Sequence, residues 1–314
     1  MPPVTKKPKA RAPRNRTLEV EKGEVGRLLS NIKFELDPED EKPRNKILCA
    51  DAFRVLPLLE PNSFDLMFAD PPYNLSKTFG TKSFQRTTSD KYEEWLDSWL
   101  RLCVPLLKAT ASVYICGDWR SAAAIERAGS KYLRVQNRLT WEREKGRGAK
   151  ANWKNAAEDI WFFTVSDDFT FNLDAVKMRR RVLAPYRENG SPKDWCSAED
   201  GNYRDTHPSN IWTDISVPFW SMPENTDHPT QKPEKLLAKI ILASTRPGDL
   251  ILDPFAGTGT TAVVAKKLRR DFIAIESDKN YCFLAQKRLE LAENDSSIQG
   301  FSDGVFWERN AKAK

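Results

Sequence analysis

The sequence is short of histidine and cysteine, which limits the metal and redox chemistry open to it. Its 314 residues include 2 histidines and 5 cysteines. No two cysteines have the C-x-x-C spacing typical of zinc sites, and their odd number argues against a disulfide framework. We therefore expect no metal site, and we expect the cysteines to be small buried thiols.

Long apolar runs are also missing. No run is long enough to cross a bilayer, and the basic, proline-containing N-terminus lacks the apolar core of a secretory signal. We expect a soluble cytoplasmic protein that makes no membrane contact. The chain is long enough to bury a large core.

Net positive charge is confined to one end of the chain. The net charge is +6, and residues 1–18 carry six Lys or Arg and no acid, so the remainder is formally neutral. We predict that residues 1–18 form a disordered basic tail and that residues 19–314 form a single domain. Because the domain is neutral overall, charge arguments about partners must rest on local patches.

Buried strands and amphipathic helices alternate along most of the sequence. Strands are predicted at residues 46–52, 64–69, 112–116, 134–141, 160–165, 249–252 and 272–275, and helices at residues 91–107, 233–244, 260–268 and 281–292. This alternation predicts an α/β fold with a mostly parallel central sheet and helices on both faces. Residues 166–228 interrupt it with a long aperiodic stretch, which inside such a domain is usually functional.

A glycine-containing turn late in the chain has the character of a nucleoside site. The segment Asp253-Pro254-Phe255-Ala256-Gly257-Thr258-Gly259-Thr260 follows a buried strand and opens a helix. Its glycines allow the backbone to approach a ligand where a Cβ would collide. The next strand ends at Glu276, about 20 residues after Gly257, the spacing at which an acid accepts hydrogen bonds from ribose hydroxyls.

Two common nucleotide signatures are absent from the same region. The full G-x-G-x-x-G of dinucleotide enzymes is incomplete because position 262 is Ala, and the Asp-Pro-Phe lead-in is not their usual one. There is also no G-x-x-x-x-G-K-[ST] motif, which argues against ATP hydrolysis.

An early proline-rich turn has the character of a site for an amino-bearing ring. Asp70-Pro71-Pro72-Tyr73 follows the predicted strand 64–69, at a carboxyl end of the sheet where such folds bind ligands. The two prolines stiffen the turn. Asp70 and the Pro71 carbonyl can accept both N–H bonds of an amino group, and Tyr73 offers a ring for stacking. Alone, the motif also fits an ordinary turn with a packing tyrosine; its pairing with the late motif favours the site.

Together the two motifs resemble those of DNA amino-methyltransferases, which use S-adenosylmethionine. A third segment, His228-Pro229-Thr230-Gln231-Lys232-Pro233, also matches, and in the family it lies beside the methionine end of the cofactor. The order, with the catalytic motif first, resembles the β class, similar to the MboII and RsrI modification enzymes. The resemblance implies a Rossmann-like methyltransferase fold in circularly permuted order.

The resemblance also implies an activity and a set of site residues. The family's Asp-Pro-Pro-Tyr form mostly methylates adenine N6, whereas cytosine-N4 enzymes more often begin with Ser. We therefore expect methylation of a flipped-out adenine in double-stranded DNA. The implied catalytic residues are Asp70, Pro71, Pro72 and Tyr73. The implied cofactor residues are Asp51, Ala52, Asp70, His228, Thr230, Lys232, Asp253, Phe255, Ala256, Gly257, Thr258, Gly259, Thr260 and Glu276.

Several alternatives stay open at this point. A cytosine-N4 DNA methyltransferase or an RNA methyltransferase would use the same fold, and a catalytically silent DNA-binding regulator would keep it without the reaction. The sequence also leaves open a homodimer and a cognate restriction endonuclease that acts separately.

Two local basic runs are candidates for contact with DNA phosphates. Residues 131–154 hold eight Lys or Arg against two Glu, and residues 177–187 hold five with no acid. The predicted contacts are Lys145, Arg147 and Lys150, in a loop between strands, and Arg179, Arg180 and Arg181. Such clusters are the electrostatic footprint of phosphate binding, although either run alone also fits a solvated surface.

The aperiodic stretch is the expected site of target recognition. In the β class the target-recognition region lies between the catalytic and cofactor motifs, which here points to residues 166–228. We predict that the tryptophans of this stretch, Trp195, Trp212 and Trp220, belong to its local core.

Overall fold

The helices are short and flank a central sheet. The computed structural model describes residues 12–36, 43–79, 82–147, 153–182, 186–198 and 201–309. Its α-helices are α1 (Val25–Leu29), α2 (Ala52–Val55), α3 (Ser89–Cys103), α4 (Ala122–Ser130), α5 (Glu234–Ser244), α6 (Thr260–Lys267) and α7 (Lys279–Asn294). Single 3₁₀ turns occur at Lys22–Glu24, Leu56–Leu58, Val104–Leu106 and Leu173–Val176. Among the described residues, no helix has the length and apolar content needed to span a membrane.

The strands fall into one large and several small sheets. They are β1 (Lys46–Cys49), β2 (Phe64–Ala69), β3 (Lys77–Phe79), β4 (Lys82–Phe84), β5 (Leu107–Gly117), β6 (Arg134–Arg147), β7 (Asn155–Thr164), β8 (Met178–Arg181), β9 (Arg187–Glu188), β10 (Ser191–Pro192), β11 (Cys196–Ala198), β12 (Gly201–Thr206), β13 (Ile211–Trp212), β14 (Leu250–Asp253), β15 (Asp271–Glu276), β16 (Phe301–Ser302) and β17 (Val305–Trp307).

The large sheet is the centre of the fold and is mostly parallel. Its order is β1-β15-β14-β2-β5-β7-β6-β13. The first five strands are parallel to one another, while β7 is antiparallel to both β5 and β6. This confirms the predicted α/β fold, and β2 has the predicted bounds.

Both faces of the sheet are buried, because helices cover each of them. Leu66 and Phe68 of β2 belong to the core under α5, α6 and α7, whereas Met67 and Ala69 belong to the core under α2, α3 and α4. Successive strand residues point to opposite faces, so a strand buried on both sides reads as a nearly continuous apolar run. That is why the sequence predicts β2 and β14 well.

The two motif-bearing strands are neighbours at the middle of the sheet. β14 pairs with β2 in parallel, with Leu252 opposite Met67. From β14 the chain passes through α6 to β15 on one side, and from β2 it passes through α3 to β5 on the other. The connections therefore diverge between the two carboxyl ends, which opens the crevice where such sheets bind ligands.

Residues 166–228 contain more regular structure than their sequence predicts. β8, β11 and β12 join β16 and β17 from the C-terminal end in a five-stranded sheet of order β11-β12-β8-β17-β16. The strands β8, β11 and β12 have three to six residues and largely polar side chains, most of them exposed or partly exposed. They consequently lack the apolar alternation that identifies a strand in a sequence. That the region recognises the target stays a prediction.

Two further predictions about chain segments need correction. Lys145 and Arg147 lie in β6, which extends to Arg147, instead of in a loop; Lys150 lies outside the described residues. The described end of the predicted disordered tail makes regular contacts, since the backbone N–H of Leu18 donates to the Asn225 carbonyl at 2.8 Å. Residues 1–11 are outside the described part of the chain.

Candidate active site

A cavity of about 290 Å³ lies at the carboxyl ends of β2 and β14. Its lining brings the three sequence motifs together, as the diverging connections require. The predicted cofactor residues in the lining are Asp51, Ala52, Asp70, His228, Thr230, Lys232, Asp253, Phe255, Ala256, Gly257, Thr258, Thr260 and Glu276. Gly259 lies outside the lining.

The two motif glycines have different structural roles. Both have positive φ, 52° at Gly257 and 72° at Gly259, a region in which glycine is unstrained. A Cβ on Gly257 would lie 3.3 Å from Nε2 of His228 at the cavity, whereas a Cβ on Gly259 would lie 2.7 Å from Cβ of Ala285 in α7. Gly259 therefore lets α6 pack closely on α7, and its contact with the cofactor stays a prediction.

Glu276 and Asp51 face the cavity from adjacent strands. β1 pairs with β15, and the Ala50 N–H donates to the Glu276 carbonyl at 3.0 Å. The Glu276 carboxylate accepts from the N–H groups of Gly257 at 2.9 Å and Asp278 at 2.7 Å. Asp51 caps α2 by accepting from the Phe53 N–H at 2.9 Å. The predicted neighbourhood of these two acids is confirmed, and burial raises the pKa of Glu276.

Asp253 is the one acid of the late motif, and it is buried. Its carboxylate accepts from the Phe255 N–H at 3.0 Å and from the Thr261 hydroxyl at 2.5 Å. Burial raises the pKa of Asp253 to about 7, and the two hydrogen bonds only partly offset that rise. These bonds hold the turn closed between β14 and α6.

The early motif lies in a buried cluster of four charged or polar side chains. Lys232 Nζ donates to Oδ2 of Asp70 at 2.6 Å and lies 3.3 Å from Oε2 of Glu158. The Tyr73 hydroxyl is 2.9 Å from Oδ1 of Asp70 and 3.1 Å from Oε2 of Glu158, and it accepts from Lys232 at 3.3 Å. We call Asp70, Tyr73, Glu158 and Lys232 the acceptor cluster.

Burial and mutual charge set the protonation of the acceptor cluster. Burial raises the pKa of Asp70, and Lys232 opposes this rise. Burial favours neutral Glu158, but Lys232 and Arg143 outweigh it, so the pKa of Glu158 is lowered. Burial alone would lower the pKa of Lys232, but Asp70 and Glu158 outweigh it and raise that pKa. Burial and both carboxylates raise the pKa of Tyr73, which keeps its proton.

Sequence reasoning missed Glu158 and its partner Arg143. Nη1 of Arg143 donates to Oε1 of Glu158 at 2.5 Å, so Glu158 is bound from two sides. Because β7 is antiparallel to β5, its amino-terminal half lies at the same sheet edge as Asp70. The predicted strand began at residue 160, after Glu158. Residues 155–159 read Asn-Ala-Ala-Glu-Asp and contain no apolar run, so no pattern in the sequence extends the strand to Glu158.

Aromatic side chains support the early motif from α3. The Tyr92 hydroxyl donates to the Pro72 carbonyl at 3.0 Å, which fixes the turn. Trp95 lines the cavity and packs on Phe255, with ring centroids 6.0 Å apart. Pro71 and Tyr73 are not part of the lining, because Pro71 is buried and the Tyr73 hydroxyl points into the acceptor cluster. Stacking on Tyr73 stays a prediction.

The third motif is held rigidly against the other two. The Gln231 side chain accepts from the N–H of Thr226 at 2.9 Å and donates to the Glu224 carbonyl at 2.7 Å. His228 accepts from the Thr230 N–H through Nδ1 at 3.3 Å, and its ring packs edge-on against Tyr281 at 4.5 Å. This segment places Lys232 in contact with Asp70 as well as at the cavity, and its sequence did not indicate the contact with Asp70.

The predicted DNA contacts Arg179, Arg180 and Arg181 do not line this cavity. Arg179 makes a two-point ion pair with Asp205, both bonds at 2.8 Å, so its charge is already matched. Arg180 and Arg181 are exposed on the same strand. Trp195 and Trp212 are buried as predicted, but Trp220 is 49% exposed, which contradicts its prediction as core. Trp220 lies at an exposed turn.

The chain is similar to known DNA methyltransferases in sequence and in fold. The chain is 34% identical to the Type II methyltransferase M.HpaI of Haemophilus parainfluenzae over 82% of this chain and 76% of that protein. It is 35% identical to the DNA adenine methyltransferase YhdJ of Escherichia coli (strain K12), over 80% and 84%. In fold it is similar to the cytosine-N4-specific PvuII DNA methyltransferase, with a TM-score of 0.59, 18% identity, and coverage of 79% and 91%.

The likeness extends to a structure that holds a cofactor. The M1.HpyAVI-SAM complex matches with a TM-score of 0.50 and 23% identity, over 77% of this chain and 98% of that one. Such identities show the shared fold. A family model described as DNA methylase, N6_N4_Mtase, matches residues 64–287, which include the early, late and His228 motifs. The chain belongs to the N6/N4 DNA methylase family.

Proposed function

We propose that this protein transfers a methyl group from S-adenosylmethionine to the N6 amino group of adenine in double-stranded DNA. The observation that carries the proposal is that Asp70 lines the same cavity as Gly257 and Glu276. An acceptor-binding carboxylate and a nucleoside-binding turn therefore share one space. The relative named a DNA adenine methyltransferase supports adenine as the target.

The cavity has the chemistry that S-adenosylmethionine requires. Glu276 and Asp51 supply carboxylates for hydroxyl and amino groups, and Phe255 and Trp95 supply apolar ring surface. Gly257 leaves backbone accessible, since an added Cβ would project toward His228. S-adenosylmethionine supplies, when bound, a methyl group on a positively charged sulfur atom. The remaining chemistry belongs to the protein and concerns the amino group.

Asp70 is placed to make the amino nitrogen a better nucleophile. The nitrogen of adenine N6 shares its lone pair with the ring. Hydrogen bonds from its two N–H groups to Asp70 and the Pro71 carbonyl favour a tetrahedral nitrogen with a localised lone pair. A carboxylate has about four lone-pair sites, so Asp70 can accept such a bond while Tyr73 and Lys232 hold it. Holding the reactants in this geometry supplies much of the acceleration.

The nitrogen must also lose a proton once it carries the methyl group. Asp70 is the carboxylate next to it, and burial raises the pKa of Asp70, which suits a group that takes up a proton. Lys232 keeps the carboxylate in place through its 2.6 Å hydrogen bond. Because this cluster is buried, a base must leave the duplex to reach it.

The cellular setting belongs to the same proposal. Relatives named Type II methyltransferases support a role in restriction and modification, beside a separate cognate endonuclease. We place the enzyme in the cytoplasm, where bacterial DNA is, and leave the choice of monomer or homodimer to sedimentation measurements.

Replacement of Asp70 tests the proposal. Purified Asp70→Ala should lose methyl transfer to unmethylated plasmid DNA by about 100-fold or more, while calorimetry shows nearly unchanged affinity for S-adenosylmethionine. Asp295→Ala is the matched control, because Asp295 is an exposed acid after α7 at the opposite sheet edge. Near-normal turnover of Asp70→Ala would overturn the assigned role.

A further inference from the structure

An exposed surface next to the acceptor cluster combines two arginines with two aromatic rings. Arg14 and Arg16 are exposed, and Phe219 and Trp220 are 41% and 49% exposed. The backbone N–H of Arg16 donates to the Trp220 carbonyl at 2.6 Å, which brings the two segments together. We call these four residues the lip.

The lip is fixed in place by hydrogen bonds on both of its segments. Nδ2 of Asn225 donates to the Thr17 hydroxyl at 2.7 Å, and the Leu18 N–H donates to the Asn225 carbonyl at 2.8 Å. The Met222 N–H closes a turn on the Phe219 carbonyl at 2.8 Å. The end of the basic N-terminal segment is therefore tied to the loop that carries Trp220.

The lip directly adjoins the proposed reaction site. Val217, Pro218 and Asn225 line a small cavity together with Glu158 and Lys232 of the acceptor cluster. Phe219 and Trp220 come next in the chain after two of these wall residues. When the target base of a duplex reaches Asp70, the base pairs next to it consequently lie beside the lip.

The charge of the lip is available for an anionic partner. Among the described residues, no ion pair involves Arg14 or Arg16, whereas Glu24 in the following helical turn pairs with Lys287 at 2.7 Å and Arg27 at 3.3 Å. Exposed cations beside exposed aromatic rings form the combination that binds phosphates and unstacked bases.

We propose that the lip binds the DNA duplex beside the target base. Arg14 and Arg16 bind backbone phosphates, and Trp220 packs on the base step that opens when the target leaves the stack. This inference rests on the proposed function, since methylation of a base inside a duplex requires that opening. It assigns a role to the N-terminal segment and to the tryptophan that sequence reasoning placed in a core.

The salt dependence of DNA binding tests the arginines. Anisotropy of a fluorescein-labelled duplex of mixed sequence is measured against KCl for the full chain. Arg14→Ala/Arg16→Ala should lower the slope of log Kd against log[KCl] by about 2, since each phosphate contact contributes about 0.9. The control Arg101→Ala/Arg246→Ala removes two exposed charges at the opposite edge and should leave the slope unchanged. Equal slopes for the wild type and the lip variant would overturn the phosphate contacts.

Binding to a duplex with one mismatched pair tests the role of Trp220. Trp220→Ala should weaken binding to a duplex with one mismatched pair by about 5-fold or more, and binding to the fully paired duplex by less, because stacking needs an opened step. Leu58→Ala, an exposed apolar residue far from the lip, should change neither. Equal weakening for both duplexes would overturn the stacking role.

The two proposals fail in different ways. A wild-type protein that binds no DNA and transfers no methyl group would refute the proposed function itself. A wild type that methylates DNA, with lip variants that keep its salt slope and mismatch preference, would refute the lip alone. Unchanged affinity of every variant for S-adenosylmethionine shows that the variants are folded.

Discussion

At the scale of single residues, Asp253 couples the stability of the fold to pH. Its pKa is raised by burial from 3.8 to about 7, so the folded protein holds a proton that the unfolded chain releases. The protonated acid therefore contributes stability below about pH 4, and that contribution is lost as the pH rises through about 7.

Asp253→Asn removes this dependence while keeping an oxygen acceptor for the Phe255 N–H. The variant should thus be more stable relative to the wild type at about pH 8 than at about pH 5, because only the wild type loses stability as the pH rises. Urea titrations without cofactor at the two pH values measure it. A difference that does not change with pH would contradict the assigned pKa.

Sequence predicted the residues of the site unevenly, for physical reasons. Asp70 and Gly257 follow strands that are buried on both faces, and Glu276 ends such a strand. Their position at the carboxyl edge can therefore be derived from apolar runs. Glu158 reaches that edge only because β7 is antiparallel, and the sequence does not state strand direction. Its contacts with Tyr73 and Lys232 are contacts between residues distant in the chain.

At the scale of elements, the turn between β14 and α6 contains two glycines with different roles, one in packing and one at the cavity. Gly259→Ala would place a Cβ 2.7 Å from Cβ of Ala285, in addition to the strain of a positive φ. It should destabilise the protein by about 2–4 kcal/mol. Gly257→Ala meets only His228 at 3.3 Å and should lose less stability but more cofactor affinity, since Gly257 lines the cavity.

Thermal unfolding and calorimetry with S-adenosylmethionine distinguish the two variants. The reverse ranking, in which Gly257→Ala is the less stable and Gly259→Ala the weaker binder, would refute the division of roles. Sequence could not make this distinction, because both glycines occupy the same motif and only the approach of α7 separates them.

Helix α5 is anchored by a buried ion pair cluster. Asp214 lies 2.7 Å from Nζ of Lys239 and 2.8 Å from Nζ of Lys235, and all three side chains are buried. Asp214→Ala leaves two ammonium groups without their carboxylate, and it should cost about 3–5 kcal/mol of stability. The half-exposed pair of Asp205 and Arg179 is the comparison, and Asp205→Ala should cost about 1 kcal/mol or less. Denaturant unfolding of both variants measures the contrast, and equal losses would contradict it.

Elements were predictable to the extent that they are apolar. β2, β14 and α5 belong to the large core, and their sequence patterns predict them within a few residues. β8 and β12 expose polar side chains and obtain their order from pairing with each other and with β17. Such pairing is a property of the folded chain, and no local pattern marks it.

At the scale of the whole molecule, the central sheet brings together two motifs that are far apart in the chain. Asp70 and Gly257 are far apart in the chain, but β2 and β14 are neighbours, so one cavity holds both. The segment between them carries Trp220 and three strands of the five-stranded sheet, β8, β11 and β12. Chemistry is thus concentrated at the switch point of the sheet, and DNA contacts are proposed around it.

The identity of the methylated nucleoside is the most direct test of this account. DNA is incubated with the purified protein and S-adenosylmethionine carrying an isotopically labelled methyl group, then digested to nucleosides and analysed by mass spectrometry. We predict labelled N6-methyladenine with the wild type and none with Asp70→Ala. Labelled N4-methylcytosine, or no labelled nucleoside from a wild type that binds both S-adenosylmethionine and DNA, would contradict the account.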